Sequence, residues 1–205
     1  MTTTSYNEAR RLVLESGATT TVECWGDAGP AVLCVHGSGS SRRDFARLGE
    51  ALAATHRVFA YDQRGHGDSE TAEPLTLAAL AADLRAVADS IGTVAAVVGH
   101  AWGGAVALAG GPKVARALVL IDPMIRVAPR TPGADAGGWD LRDRLAEVKI
   151  PTTVLVAAEQ SFVAPDDLAR LSPEVRVEHC AGRGDTLHRS GFERFADAVR
   201  DAVPA

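Results

Sequence analysis

Five stretches of this chain are nearly unbroken apolar runs of strand length. They are "AVLCVHG" (31–37), "RVFAYDQRG" (57–65), "VAAVVGH" (94–100), "ARALVLIDP" (115–123) and "TTVLVAAE" (152–159), and each runs into a glycine or a polar turn. A strand with one wet face alternates apolar and polar residues, whereas a strand that is apolar throughout has both faces covered. Such strands belong in a mostly parallel sheet with helices on both sides. Helical patterns do fall between them. In "TLAALAADLRAVADSIG" (76–92), Leu77, Leu80, Ala81, Leu84, Val87, Ala88 and Ile91 share one face, with Thr76 placed to cap the start and Gly92 the end. The terminal "FERFADAVRDAV" (192–203) puts Phe192, Phe195, Val199 and Val203 on one side. A small-residue helix from about Trp102, a helical stretch at "DDLARL" (166–171) and a short helix in "WDLRDRLAEV" (139–148) complete the set.

Three further strands fit the pattern. "RRLVLES" and "TTTVECWG" read as a hairpin turning near "SGA", and "VRVEHCAG" (175–182) reads as an eighth strand. Strands alternating with helices after a hairpin give an α/β fold with an eight-stranded, mostly parallel sheet. Met124–Asp140, rich in Pro and Gly and without periodicity, reads as a long loop. The chain has 205 residues, 46% hydrophobic, which suits one globular domain over 1–205. A net charge of -5 gives no footprint for nucleic acid. Cys24, Cys34 and Cys180 show no C-x-x-C spacing, and the first residues lack the apolar core of a secretory signal. A reducing, cytoplasmic setting without a membrane span is the expectation. No H-E-x-x-H spacing and no G-x-G-x-x-G fingerprint occur, so neither metal nor cofactor is expected.

In sheets of this kind, chemistry gathers in loops at the carboxyl ends of the strands. "HGSGSSRRDF" (36–45) is glycine-punctuated and turns N–H groups towards a cleft. "YDQRGHGDSE" (61–70) reads as a structural turn in which Asp62 and Arg64 pair locally. "VVGHAWGG" (97–104) has the small-residue frame of a G-x-S-x-G turn, with Gly99 and Gly103 flanking the tip and Trp102 supplying the next N–H. The tip itself is Ala101, which has no atom able to attack a substrate.

Taken in order and spacing, these segments resemble the α/β-hydrolase family over nearly the whole chain. "VLCVHGSGSS" is similar to its oxyanion loop, "YDQRGHGDS" to its D-x-R-G-x-G-x-S turn, "VVGHAWGG" to its nucleophile elbow, and "GRGDTLHRSGFERF" to its catalytic-histidine region. The resemblance implies an α/β-hydrolase fold with little or no lid, since the Pro/Gly-rich Met124–Asp140 stands where lid helices are usually inserted. It implies N–H donors from Trp102 and about Ser38, a turn at Gly37 supported by His36, and an acid at Asp122 after the sixth strand, with Glu159 the other local carboxylate. It places Asp185 at the histidine position and His188 at a second histidine, so either is the acid–base candidate. His100 beneath the elbow is a further acid–base or packing group, and Trp102 and Met124 are candidates to line an apolar pocket.

Without a nucleophile no acyl-enzyme forms, and triad hydrolases so altered retain only ~10³–10⁴-fold catalysis. The expected function is non-hydrolytic: isomerisation, elimination or ring closure beside a carbonyl, in secondary metabolism. The alternatives are a serine ester, lactone or thioester hydrolase in a Ser-to-Ala form, and a ligand-binding pseudo-hydrolase. A small molecule, a peptide or a carrier-linked acyl chain is the expected partner.

Overall fold

A computed structural model describes residues 9–128 and 138–204. Its strands, in chain order, are β1 (Arg10–Val13), β2 (Thr19–Trp25), β3 (Ala31–Val35), β4 (Arg57–Tyr61), β5 (Val94–His100), β6 (Ala115–Ile121), β7 (Arg126–Val127), β8 (Trp139–Asp140), β9 (Thr152–Glu159) and β10 (Val175–Arg183). Eight of them form one sheet in the order β1-β2-β4-β3-β5-β6-β9-β10. β1–β2 and β2–β4 pair antiparallel, and the remaining neighbours pair parallel. This is the α/β-hydrolase arrangement read from the sequence.

The central strands are buried on both faces, as their continuous apolar character requires. Side chains alternate across a strand, so Leu33 and Val35 of β3 join one core while Val32 and Cys34 join the other. The first core is closed by α2 (Leu77–Ile91), α3 (Trp102–Gly110) and α4 (Arg142–Glu147); the second is closed by α1 (Ala46–Leu52) and α6 (Phe192–Ala202). A four-residue α5 (Leu187–Ser190) leads into α6. The Thr76 hydroxyl accepts the Ala79 N–H at 3.2 Å, and Gly92 ends α2 at φ 91°. Phe192, Phe195, Val199 and Val203 are all buried.

The structure corrects three local readings. "DDLARL" forms only a 3-10 turn at Pro165–Leu168, because Pro165 and the Asp167 side chain fix a tight start that does not propagate. Met124–Asp140 is not a plain loop, since β7 and β8 pair antiparallel within it. Residues 129–137 of that segment, and with them most of the lid comparison, lie outside the described residues. Asp62 and Arg64 do not pair with each other. Asp62 is fully buried and takes the Arg42 N–H at 2.7 Å and its guanidinium, whereas Arg64 forms a two-point pair with Asp83 of α2. Both ion pairs are long-range, so spacing in the sequence does not reveal them.

Candidate active site

β5 ends at His100 and α3 begins at Trp102, leaving a single residue, Ala101, to make the turn. Small residues permit this. A Cβ on Gly99 would lie 2.3 Å from the Gly103 carbonyl oxygen, and one on Gly103 would lie 2.2 Å from that of Val35. Ala101 itself has φ 49° and ψ −112°, a conformation side-chain-bearing residues rarely adopt, costing roughly 1–3 kcal/mol. Hydrogen bonds hold it there: its N–H donates to Ile121 O at 2.9 Å, and its carbonyl accepts from Met124 N–H at 3.0 Å. Asp122 (φ 44°) and Gln160 (φ 48°) carry the same strain just past β6 and β9, the next strands in the sheet. Strain of this kind collects at functional sites, where the surroundings over-determine it.

A cavity of about 400 Å³ opens at these strand ends. Of the sequence-predicted residues, Gly37, Ser38, His100, Ala101, Met124, Asp185 and His188 line it. Gly37 lies against the elbow, since a Cβ there would be 3.7 Å from the Ala101 methyl carbon. Among the described residues, the main-chain N–H groups of Ser38 and Trp102 have no protein acceptor. Helix starts leave such donors open.

His36, Trp102 and Asp122 are not among the residues that line it. His36 is fully buried; its Nδ1 lies 2.7 Å from Gly37 O and its Nε2 accepts the Gln63 N–H at 3.0 Å, so it shapes the loop. Instead of an apolar pocket wall, the Trp102 indole meets Trp139 edge-on at 4.7 Å, because β8 brings Trp139 over the elbow, and the Trp139 indole N–H donates to Met124 O. The Asp122 carboxylate, fully buried, accepts from Ala157 N–H (2.8 Å), the Ser161 hydroxyl (2.6 Å) and Phe162 N–H (2.6 Å). All three of these donors come from the β9 side of the site, and the carboxylate is bonded to no histidine.

The two residues competing for the histidine role differ sharply. Asp185 is half-exposed and sits 3.3 Å from Arg183, whose guanidinium holds the carboxyl below the usual range. His188 is 4% exposed, and among the described residues neither ring nitrogen has a hydrogen-bond partner. Its ring centroid is 4.2 Å from that of His100. The reading from sequence missed four cavity residues with polar or apolar reach: Ser40, Asp44, Phe162 and Arg189. Asp44 and Arg189 form an ion pair across 145 positions, which no local pattern announces. Among the described residues no three His, Cys, Asp or Glu side chains form a metal-holding group.

His100 gives a pH signature. Its Nε2 bonds Gly184 O at 2.9 Å, which ties the elbow to the loop before α5. Burial, then the neighbouring His188, push its pKa down from the ordinary 6.5 to about 4. The unfolded chain therefore binds a proton that the folded chain refuses between those values, so stability falls as pH drops from about 6.5 to about 4. Melting temperatures measured across that window should show a shallower fall for His100→Gln than for the native protein.

The alpha/beta hydrolase family model matches residues 32–204. Lipase LipV of Mycobacterium tuberculosis is 40% identical over 109 residues, covering 51% of this chain and 41% of that protein. A pimeloyl-(acyl-carrier protein) methyl ester esterase of Neisseria meningitidis is 41% identical over 104 residues, covering 49% of this chain and 40% of that protein. The chain thus matches less than half the length of either relative. A hydrolase structure from Pseudomonas aeruginosa PA01 superposes with a TM-score of 0.84 at 20% identity, covering 97% of this chain and 99% of that one, a likeness of fold. With the elbow and the sheet order in place, the match over residues 32–204 establishes that this chain belongs to the alpha/beta hydrolase family.

Proposed function

We propose that this chain is an enzyme acting on a carbonyl compound without a covalent intermediate. The observation that carries the reading is the elbow: Ala101 keeps its strained backbone beside a cavity in which the His188 imidazole is buried and has no hydrogen-bond partner among the described residues. The Ser38 and Trp102 N–H groups would hold the carbonyl oxygen. His188 would take a proton from the α-carbon, the C–H electron pair passing to the carbonyl oxygen as an enolate. Return of the proton to that carbon gives epimerisation; loss of a β-substituent gives elimination; attack of the enolate carbon on a second electrophilic carbon of the substrate, with loss of that carbon's leaving group, gives ring closure. In this reading Met124 and Phe162 supply apolar contact, and the substrate is a small carbonyl compound or a carrier-linked acyl chain. The Neisseria relative, named for an acyl-carrier substrate, supports the second class.

The test is exchange of α-protons into deuterated water, followed by proton NMR over a panel of ketones, lactones and thioesters. Protein-dependent loss of the α-signal without hydrolysis is the expected result. Tight ligand retention with no exchange would instead make this a binding protein. The serine-hydrolase alternative keeps one point in its favour, the preserved elbow strain. Ala101→Ser assayed on nitrophenyl esters addresses it, and a burst of one equivalent would favour that alternative.

A further inference from the structure

His188 needs something to fix its ring. A buried imidazole with both nitrogens unpartnered loses hydration at each, and a proton-transfer histidine works only when one nitrogen is held so that the other is presented in a defined tautomer. The family's usual answer is a carboxylate at the end of the sixth or seventh strand. Here Asp122 already accepts from Ala157, Ser161 and Phe162 and meets no histidine, and Ser161 occupies the position after β9.

A different carboxylate is close. Asp44, in the 3-10 turn Arg42–Phe45 that follows the oxyanion loop, has its Oδ2 3.6 Å from His188 Nε2. Both side chains are sequestered, at 9% and 3% exposure. The Ser40 hydroxyl donates to Asp44 Oδ2 and the Arg189 guanidinium to its Oδ1, so the carboxylate is clamped from two sides. A carboxylate offers about four lone-pair sites, and this clamp leaves capacity towards the imidazole. Burial pushes the Asp44 carboxyl up, but His188, Ser40 and Arg189 together outweigh it and hold it well below the usual carboxylate range. At 3.6 Å the contact is within ion-pair range and outside hydrogen-bond range, and a ring movement of about 0.7 Å closes it to a normal bond. Contacts of this kind are commonly loose before substrate binds.

We infer that Asp44 is the positioning residue for His188: it accepts the Nε2–H and leaves the Nδ1 lone pair as the basic atom of the site. The acid of this active site thus comes from the oxyanion-loop side of the sheet, opposite the strand ends where the family keeps it. Arg189 and Ser40 hold the carboxylate, and the exposed half of Arg189 places the clamp at the cavity rim. The inference rests on reading His188 as the proton-transfer group.

Imidazole nitrogen shifts of histidine-labelled protein, recorded at neutral pH without substrate, test it. His188 should be in the Nε2–H form in the native protein, and Asp44→Ala should lose that preference while keeping its near-ultraviolet dichroism. In the exchange assay the same variant should lose roughly 10²-fold in kcat, the scale expected for a misplaced group, with KM little changed. A native His188 protonated on Nδ1, or a tautomer that ignores Asp44→Ala, overturns the assignment. If the variant does not fold, the native Nε2–H proton resonance decides: displacement far downfield by a carboxylate acceptor is expected, and a resonance at the position of an unbonded imidazole N–H overturns the assignment. Because the tautomer is read with no substrate present, failure of the Asp44 assignment and failure of the carbonyl chemistry are separately visible.

Discussion

Asp83→Ala should cost about 3–5 kcal/mol, the scale for breaking a buried ion pair, and lower Tm by roughly 10 °C for a chain of this size. Arg64 Nε and Nη2 each meet an Asp83 carboxylate oxygen at 2.6 Å, with side-chain exposures of 3% and 6%. Removing the carboxylate strands a guanidinium whose remaining acceptors are the carbonyls of Pro74 at 3.0 Å and Ala72 at 3.4 Å. The pair is not expected to stabilise the fold in net terms, because desolvation offsets its attraction. Replacing both partners with apolar residues of similar volume should therefore recover most of the loss, which denaturant titration of the single and double variants would show. The pair also reaches the active site. Arg64 follows Gln63, whose side-chain amide donates to His36 O at 2.6 Å, so the turn after β4 braces the loop that follows β3.

The second large effect is catalytic. His188→Gln should lower α-proton exchange by about 10²–10⁴-fold, the usual contribution of a general base. Asp185→Asn should act mainly on KM, because Asp185 stands half-exposed at the rim with its charge already paired to Arg183. Equal losses in kcat from both variants would reject His188 as the base. The asymmetry expected here follows from burial: a proton-transfer group works where solvent is excluded, and only one of the two residues is placed there.

How much of this was legible in the sequence depended on the range of the interactions. The strand runs, the α2 stripe and the Thr76 cap are local patterns, and the structure follows them closely. The glycines at positions 99 and 103 were legible as a tight turn because only small residues fit that junction. The polar contacts were not legible. Asp83 sits on a helix whose pattern is otherwise apolar inward, and its burial makes sense only once Arg64 arrives from the turn after β4. Asp44 looks like an ordinary turn residue until Arg189 and His188 are folded over it. The family resemblance makes Asp122, just after β6, a candidate acid, yet its partners come from the end of β9.

The proposed chemistry makes one demand of any bound carbonyl: the Ser38 and Trp102 N–H groups, without a protein acceptor among the described residues, would grip its oxygen while its carbon stays unbonded to protein. Carbon-13 NMR of a carbonyl-labelled ketone or thioester that the protein retains reads this directly. The account predicts a trigonal carbonyl signal displaced downfield on binding, with the protein mass unchanged. A tetrahedral carbon signal, an acylated protein, or a bound carbonyl with no displacement would contradict it.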